Sequence, residues 1–491
     1  MRETADVCVV GGGPAGLTTA LTLGAAGRSV VLLESGGFCP SVAAQELNDG
    51  DVEGEAYDGV SRTRHRQLGG AANIWNVGVN GARGAKYVPL GIRDLAGWPI
   101  GWGDLEPFYL EAQDLCGLGP LEYGAAYWAT PTRRPFELAG TGLTSAVYQF
   151  GYAERFFREL VDEMRASESI TIITSTTVVA LIPARGGHTV GEVRAVADDG
   201  RTIDVKARTF VLACGAVENA RLLLLEGLGG RGDLPCSEWL GRGFMEHARD
   251  FSLVLVPHSR ELFAEAAFYD VWVSADGCLV GGHIALADDA MGGFGLPNAA
   301  MTLVPRAHGW RSQRLFARAP EPLRRGLGIP PRTRYGWSTT RSPARAFDRF
   351  DIVLNLEQRP HPLNRVELST RRDRFGNPLP RLLLQWTHDE QERLELLRGL
   401  LREWFHEAKL GRLLATPGQR PDLNAHHHAG TTRMAVDEED GVVDVNGRVF
   451  GVDNLYVAGA AVFPSTGFAN PTLTIVALAR RLGRHLEAVL H

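Results

Sequence analysis

The sequence has few lysines, no clustered cysteines and no long apolar runs. Only three lysines occur among its 51 basic residues, and Asp and Glu number 57, so the formal net charge is −6. This acidic balance argues against a nucleic-acid binder, which would need a basic surface. The six cysteines are scattered without a CxxC pair. We therefore expect no disulfide framework and no cysteine-based metal site, and a reducing, cytoplasmic location.

Membrane and export signals are also missing. No apolar run approaches the ~18 residues of a membrane span, so none is expected. The N-terminal segment has acidic residues at once and no small-residue cleavage site after an apolar stretch, so no signal peptide is expected. The 491 residues include 44% hydrophobic and 22% charged side chains. That composition is typical of a globular chain of about three domain-sized units.

Residues 6–35 predict a strand–helix–strand unit. The apolar run Val7–Val10 is typical of a buried parallel strand, Leu17–Ala26 has helical composition, and Ser29–Leu33 predicts the second strand. A glycine turn separates the first strand from the helix. This arrangement is the framework on which dinucleotide-binding turns are built.

The turn GGGPAG fits the dinucleotide-binding pattern GxGxxG. Gly11 permits the tight turn, Gly13 lets the backbone approach a pyrophosphate, and Gly16 lets helix and strand pack closely. Glu34, at the end of the second strand, can accept hydrogen bonds from ribose hydroxyls and disfavours the 2′-phosphate of NADP. We therefore predict a dinucleotide site, the alternative being a glycine-rich turn in an unrelated α/β fold.

Two later segments also carry local order. In 168–226, apolar alternation predicts strands at Ile170–Thr177, Val178–Leu181, Val190–Ala197, Thr202–Ala207 and Thr209–Ala213, with a helix from Asn219 to Leu225. In 426–491 we predict a strand at Leu455–Ala458 and a helix from about Pro471 to the end. Asn470 suits the N-cap of that helix and Pro471 its first position. The same helix N-terminus could face a flavin edge, and the two roles are compatible.

Three adjacent histidines, His426–His428, precede this last segment. They are compatible with a metal site or with a surface run. No second ligand cluster is within sequence reach and no HExxH motif occurs, so no metal is expected.

Several motifs occur together in one order: GGGPAG at 11–16, RQLGGAANIW at 66–75, CGAVENARLLL at 214–224, GRGFMEH at 241–247, HHHAGTTRM at 426–434, and NLYVAG and FANPTLT within 454–474. The chain thereby resembles the glucose–methanol–choline (GMC) family of FAD-dependent alcohol oxidoreductases. The resemblance is greater to the shorter bacterial, pyranose-oxidase-like branch. It covers nearly the whole chain and is weakest at about 250–415.

The resemblance implies an α/β fold, α+β overall. A Rossmann-like FAD-binding domain, discontinuous in sequence, is joined to a substrate domain built on a mainly antiparallel sheet. The implied division is 1–105, 166–245 and 416–491 for the FAD-binding domain, 106–165 for a cap segment, and 246–415 for the substrate domain.

The resemblance also implies residue roles. FAD would be held by Gly11, Gly13, Pro14, Ala15, Gly16, Glu34, Ser35, Gly69, Gly70, Asn73, Trp75, Val179, Ala213, Gly215, Gly459, Ala460, Asn470, Pro471 and Thr472. Some relatives attach FAD through a histidine after the Gly-Gly pair. Asn73 and Ile74 stand there in this chain, so we expect non-covalent FAD.

His427 occupies the position of the family's catalytic histidine, and Asn470 that of its His-or-Asn partner. We expect hydride transfer from the alcohol carbon to flavin N5 while neutral His427 accepts the hydroxyl proton and Asn470 orients the hydroxyl. His426 and His428 are expected to be structural or rim residues. For His247 two roles stay open, support of the flavin site or a buried polar position, and we favour the second.

The expected substrate is a hydroxyl group of a sugar or glycoside, including an aminoglycoside or another biosynthetic intermediate. Alternatives are an apolar sterol, terpenoid or polyketide alcohol, a non-catalytic flavin-binding module, and an NAD-dependent dehydrogenase. The electron acceptor is left open between oxygen and another molecule, and an oligomer is compatible with the sequence. An arginine-rich stretch, 306–349, is compatible with a surface insertion, a lid, an interfacial helix or a partner-docking face.

Overall fold

The structure is a computed structural model that describes residues 2–75, 77–79, 82–227, 234, 237–307, 336–340 and 342–490. The strands are β1 Arg2–Val10, β2 Val30–Leu33, β3 Asp51–Gly54, β4 Val77–Val79, β5 Ala82–Tyr87, β6 Leu143–Tyr152, β7 Ile170–Ile173, β8 Thr176–Pro183, β9 Val190–Ala197, β10 Thr202–Leu212, β11 Ala248–Pro257, β12 Val271–Val273, β13 Leu279–Leu286, β14 Ala299–Ala307, β15 Phe347–Leu356, β16 Arg365–Arg372, β17 Pro378–Leu384, β18 Gly411–Leu414 and β19 Leu455–Val457. The helices are α1 Pro14–Ala25, α2 Val42–Glu46, α3 Trp102–Leu115, α4 Ala125–Trp128, α5 Leu160–Ala166, α6 Gly215–Glu226, α7 Leu262–Glu265, α8 Asp288–Phe294, α9 Pro343–Ala346, α10 His388–Glu407 and α11 Thr472–Val489.

The first sheet joins strands from three distant parts of the chain. Its order is β7-β2-β1-β10-β9-β8, and β19 also pairs with β10. Strands β7, β2, β1, β10 and β19 are parallel, while β8, β9 and the start of β10 form an antiparallel meander. The predicted strand–helix–strand unit and the Rossmann-like, sequence-discontinuous part of the fold are confirmed.

Within residues 168–226, the prediction of two separate strands was wrong. The strands predicted at Thr202–Ala207 and Thr209–Ala213 are one continuous strand, β10. Its first residues pair with β9 as well as β1, and its last residues pair with β19 as well as β1. The burial pattern changes from alternating to continuous along the strand, because its second half lies inside the parallel sheet. Because of this change of pattern, the sequence predicts two strands where the structure has one.

Another predicted strand, Ile170–Thr177, is interrupted. β7 ends at Ile173 and β8 begins at Thr176. Ser175 lies between them with a φ of 53°, a left-handed conformation that ends a strand. The alternation of apolar residues continues across this turn, so the sequence pattern alone does not reveal where β7 ends.

The second sheet is antiparallel and has the order β18-β11-β15-β14-β13-β6-β5-β4, with β12 paired to β13. It confirms the predicted sheet of the substrate domain. A small third sheet, β16-β17-β3, joins a strand from the N-terminal region to two from the C-terminal half. The arginine-rich stretch connects the paired strands β14 and β15, and its residues 308–335 and 341 lie outside the described residues.

Helices α1 and α11 cover one face of the first sheet. Leu17 and Leu23 of α1 pack in one apolar cluster with Leu482 and Leu486 of α11 and with two valines of β1, Val7 and Val9. At their contact, a Cβ added to Gly483 would lie 2.6 Å from the side chain of Thr22, so the two helices pack at close range. None of the helices in the described part of the chain combines the length and apolarity needed to cross a bilayer.

Helix α10 packs on the antiparallel sheet through a buried charge pair. The guanidinium Nε of Arg398 lies 2.9 Å from Oδ2 of Asp250 on β11, and both side chains are 0% exposed. Arg398 also donates to the carbonyl of Gln419 and to the carboxylate of Glu395. Because Asp250 follows His247 by three residues, this pair fixes the start of β11, from which the candidate site is built.

We expect Arg398→Ala to lower the free energy of unfolding by about 3–5 kcal/mol, since Asp250 would remain buried without its cation. Urea unfolding followed by far-UV circular dichroism measures this loss. The control is Arg158→Ala, which removes an exposed ion pair with Glu154 and should cost at most about 1 kcal/mol. Equal, small losses in both variants would contradict the anchoring role of Arg398.

Candidate active site

A cavity of about 690 Å³ opens at the carboxyl ends of the parallel strands. Its walls come from the turn after β1, the residues after β10 and the residues after β19, which are adjacent in the first sheet. The carboxyl edge of a parallel sheet is where α/β folds bind ligands. A cavity of this volume is in the range of small-molecule and cofactor sites.

The glycines of the first turn have the separate roles that the sequence predicts. Gly11 has a φ of 105°, and a Cβ there would lie 2.6 Å from the carbonyl oxygen of Ala213. A Cβ on Gly16 would lie 1.9 Å from the carbonyl oxygen of Gly11, so it allows the close packing of α1. A Cβ on Gly13 would have no neighbour nearer than the Cα of Gly70, at 3.9 Å. Gly13 thus faces open space in the cavity, where a ligand can approach the backbone.

Three helix N-termini point at this cavity. Helices α1, α6 and α11 begin at Pro14, Gly215 and Thr472, and these residues line its wall. None of the three helices has a side-chain cap hydrogen bond. Free backbone N–H groups and the positive ends of the helix dipoles favour an anionic group such as a pyrophosphate. The residues present therefore fit the phosphate moiety of a dinucleotide cofactor.

Glu34 lines the cavity and is tied to the backbone. Its Oε2 accepts a hydrogen bond from the N–H of Gly12 and its Oε1 one from the N–H of Gly36, each at 2.7 Å. Burial raises the pKa of this carboxyl group, and the backbone donors oppose that shift. Oε1 also accepts a longer hydrogen bond, of 3.4 Å, from the hydroxyl of Ser35. Oε2 keeps a further lone pair, so a predicted hydrogen bond with a ribose is compatible with this geometry.

Sequence reasoning missed a buried charge cluster on the same wall. Arg64 pairs with Glu218, and Arg66 lies 3.2 Å from the same carboxylate. Arg221 bridges Glu218 and Asp373. Burial would raise the pKa of Glu218, but the three guanidinium groups outweigh burial and hold it well below its usual range. The only signal was the alternation of basic residues just before the Gly-Gly pair.

Asn470 and His427 meet at the other end of the cavity. The Nδ2 atom of Asn470 lies 3.2 Å from Nε2 of His427, and both residues line the cavity. Asn470 does not cap the last helix, contrary to the prediction. The helix begins at Thr472 with Pro471 in the cap position, and the Asn470 amide faces the histidine instead.

His427 is held in a neutral state. Burial is the largest cause that lowers its pKa well below the usual range, and nearby His247, Lys86 and Arg249 lower it further. Its backbone N–H donates to Oε1 of Glu246 at 2.6 Å. An unprotonated imidazole at the cavity wall is a suitable proton acceptor near neutral pH.

His247 is buried and touches His427, so the preferred prediction of a mere polar core position is incomplete. Its Nδ1 lies 2.8 Å from Nδ1 of His427, and its Nε2 lies 2.9 Å from the carbonyl oxygen of Gly467. Burial lowers the pKa of His247 to about 4. The motif GRGFMEH was the sequence signal for this residue.

The other two histidines of the run also line the cavity, but they form hydrogen bonds with other residues. His428, with a side chain 8% exposed, lies 2.7 Å from the hydroxyl of Tyr57, which donates to Glu246. His426 lies at the cavity wall with its Nε2 3.3 Å from Asp58. The three rings thus have separate hydrogen-bond partners, although the Tyr57 ring contacts both His426 and His428. No group of three or more potential metal ligands occurs within the described residues.

Most residues predicted to hold the cofactor line this one cavity. The exceptions are Gly16, Gly69, Asn73 and Val179. Gly69 donates from its N–H to the carbonyl of Gly12, and Asn73 donates to the carbonyls of Leu68 and Gly70, so both hold the wall from behind. The carbonyl of Val179 accepts from Asn377, whereas its neighbours Thr177 and Val178 reach the cavity.

Family models match two regions of the chain. Residues 6–238 match the FAD dependent oxidoreductase model, and residues 360–479 match the C-terminal GMC oxidoreductase model. These ranges include the glycine turn, the charge cluster and the Asn470–His427 contact. The cofactor of these proteins, FAD, agrees with the uncapped helix N-termini around the cavity.

Similar proteins span nearly the whole chain. The 6'''-hydroxyparomomycin C oxidase of Streptomyces lividus is 24% identical over 99% of this chain and 92% of its own length. The paromamine 6'-oxidase of Streptomyces fradiae is 26% identical over 97% and 90%. The crystal structure of pyridoxine 4-oxidase from Mesorbium loti has a TM-score of 0.57 at 18% identity, covering 98% of each chain, and so shows the same fold.

We expect Gly13→Ala to weaken FAD binding by about 1–3 kcal/mol while leaving the fold intact, because the new methyl group enters the cavity and comes no closer than 3.9 Å to the protein. The FAD content of the purified chain and titration of the apoprotein with FAD measure this change. Gly103→Ala is the control, since that glycine also faces open space but lies on α3, outside the cavity wall. Normal FAD affinity in Gly13→Ala would place the cofactor elsewhere.

The buried histidines should make the protein less stable in acid. Burial lowers the pKa of His428 to about 3, so the unfolded chain binds more protons between pH ~6.5 and ~3. Stability from this group is complete above pH ~6.5 and falls with decreasing pH, by up to ~1.4 kcal/mol per pH unit. We expect His428→Gln to reduce that slope in urea unfolding at pH 5, 6 and 7.

The control for this experiment is His388→Gln, whose side chain is 88% exposed and loses little hydration on folding. An unchanged slope in His428→Gln would show that His428 is not held neutral in the folded state.

Proposed function

As a member of the GMC oxidoreductase family, this chain is an FAD-dependent alcohol oxidoreductase, and we propose that its substrate is a hydroxyl group of a sugar or glycoside. The observation that carries the proposal is the Asn470–His427 contact at the cavity wall, with His427 neutral. The substrate class is supported by the two Streptomyces relatives, whose names describe oxidation of aminoglycosides. We include aminoglycosides in the proposed substrate class. We also propose that the protein acts in a biosynthetic pathway.

We propose that His427 accepts the hydroxyl proton at Nε2 and that Asn470 orients the hydroxyl. Bound FAD would supply the acceptor for the hydride that leaves the alcohol carbon. Asn470 suits its role because an amide cannot take the proton itself. His427 suits its role because burial keeps its lone pair available at neutral pH. A non-catalytic flavin-binding module would have no use for this neutral pair.

The cofactor-binding role is proposed for the predicted residues that line the cavity, together with Arg64 and Arg66. Gly13 and the N-termini of α1, α6 and α11 would face the pyrophosphate, and Glu34 the ribose. Non-covalent attachment remains our proposal, because Asn73 and Ile74 occupy the positions where some relatives carry the linking histidine.

The domain division also remains a proposal. Strand membership supports a FAD-binding domain assembled from residues before 35, between 170 and 212, and after 455. Strands β4 and β5 belong to the N-terminal segment of the proposed FAD-binding domain, residues 1–105. They pair into the antiparallel sheet and would be shared with the substrate domain. A cytoplasmic location is supported by the free thiols of the five described cysteines.

The function is tested by anaerobic bleaching of the visible flavin absorbance with simple sugars, glycosides, aminoglycosides and sterols. We expect one of the sugar-based classes to bleach the protein, and admission of air then shows whether oxygen accepts the electrons. His427→Ala should retain FAD but slow the bleaching by ~10²–10⁴-fold, since the proton acceptor is lost. His388→Gln is the control and should bleach like the unaltered protein.

Each contrary outcome has a defined meaning. Bleaching by sterols alone would replace the sugar with an apolar alcohol, and near-normal bleaching of His427→Ala would exclude His427 as the base. A flavoprotein that no alcohol bleaches would overturn the proposed substrate.

A further inference from the structure

His247 has two hydrogen-bonding contacts and no exposed edge. It lies just before β11, is 2% exposed, and uses one ring nitrogen toward His427 and the other toward the carbonyl of Gly467. The alcohol chemistry proposed above requires His427 and Asn470 alone. The contacts of His247 therefore call for a separate explanation.

The carbonyl of Gly467 determines where the proton on His247 lies. A carbonyl oxygen can only accept, so Nε2 of His247 must carry its hydrogen to bond across 2.9 Å. Burial lowers the pKa of His247 to about 4, so the ring is neutral and its Nδ1 has a lone pair. The 2.8 Å contact between the two Nδ1 atoms then requires a hydrogen on Nδ1 of His427.

This order of hydrogen-bond donors leaves one unprotonated ring nitrogen, Nε2 of His427, at the cavity. With Nδ1 protonated, neutral His427 has its lone pair on Nε2, and the Asn470 amide N–H donates to it across 3.2 Å. The opposite direction would turn the lone pair of His247 Nε2 toward the Gly467 oxygen, where two acceptors would face each other. All four groups are satisfied in only one direction.

We propose that His247 is a positioning residue that holds His427 in the tautomer whose Nε2 lone pair faces Asn470 and the cavity. Its action on turnover rests on the proposed function, since it matters there only if His427 is the base. Glu246 supports the arrangement from the backbone, because its Oε1 accepts from the N–H groups of both His247 and His427. The ring contacts and the backbone contacts together fix both imidazoles.

The first test compares His247→Ala with His247→Gln. In the alanine variant His427 loses the acceptor for Nδ1–H. We expect the anaerobic flavin reduction rate to fall about 10- to 100-fold, which is the usual loss when a residue that orients a functional side chain is removed. FAD content and substrate affinity should stay within about threefold, because His247 is not needed to form the cavity wall. Glutamine offers both an acceptor and a donor and should restore most of the rate. His258→Gln, exposed beyond the end of β11, is the control.

The second test does not depend on whether the His247 variants fold. Nitrogen-15 NMR of the histidine rings in the intact holoprotein distinguishes the two neutral tautomers, with the His427 signals assigned by their loss in His427→Ala. We expect a protonated Nδ1 and an unprotonated Nε2.

The outcomes separate this proposal from the proposed function. A protonated Nε2 in neutral His427, or an unchanged reduction rate in His247→Ala, would overturn the role of His247. Absence of bleaching by every alcohol would overturn the proposed function, while the NMR spectrum would still report the tautomer.

Discussion

The contact between the first turn and the end of β10 is the constraint on which the rest of the site depends. Gly11 and Gly16 let the backbone of β1 and α1 approach Ala213 at distances that exclude any side chain. This approach brings the carboxyl ends of β1, β10 and β19 to one edge, where the three uncapped helices begin. A methyl group at Gly16 would separate these elements, whereas the same group at Gly13 would only narrow the cavity.

The cavity changes in electrostatic character along its length. At the end lined by Arg64, Arg66 and Glu218, buried charges balance one another through short ion pairs. At the other end, burial rather than a counter-charge keeps His427 neutral, and its partner Asn470 is an amide that carries no charge. The proposed ligands, a phosphate-bearing cofactor and an uncharged hydroxyl group, would thus be matched by different physical means within one fold. Helix α10 contributes to the neutral end, since the Arg398–Asp250 pair anchors the strand that follows His247.

Local patterns were enough to predict the glycine turn and the parallel strands, whereas the pairing of His427 with Asn470 was expected only from the family resemblance. They were reliable because each depends on a backbone requirement or on a motif within a few residues. The division of β10 was mispredicted because its apolar pattern changes where its sheet neighbours change. The contacts of His247 and the Arg64–Glu218 pair join residues 180 and 154 positions apart. No local pattern encodes such pairs, and the side chain of Asn470 could have served the helix or the histidine equally well from sequence alone.

The position of β19 has a consequence for the order in which this protein matures on the ribosome. β19 has three residues, and its pairing of Leu455–Val457 with Phe210–Leu212 completes an edge whose other strands are synthesised more than 240 residues earlier. Contacts so distant in sequence form late and slowly. The four parallel strands β1, β2, β7 and β10 are therefore already made when β19 becomes able to pair. Asn470 and the N-terminus of α11 follow β19 in sequence, so neither can take its place at the cavity before β19 has been made. Cofactor loading is therefore expected to follow the synthesis of β19 and α11 rather than precede it.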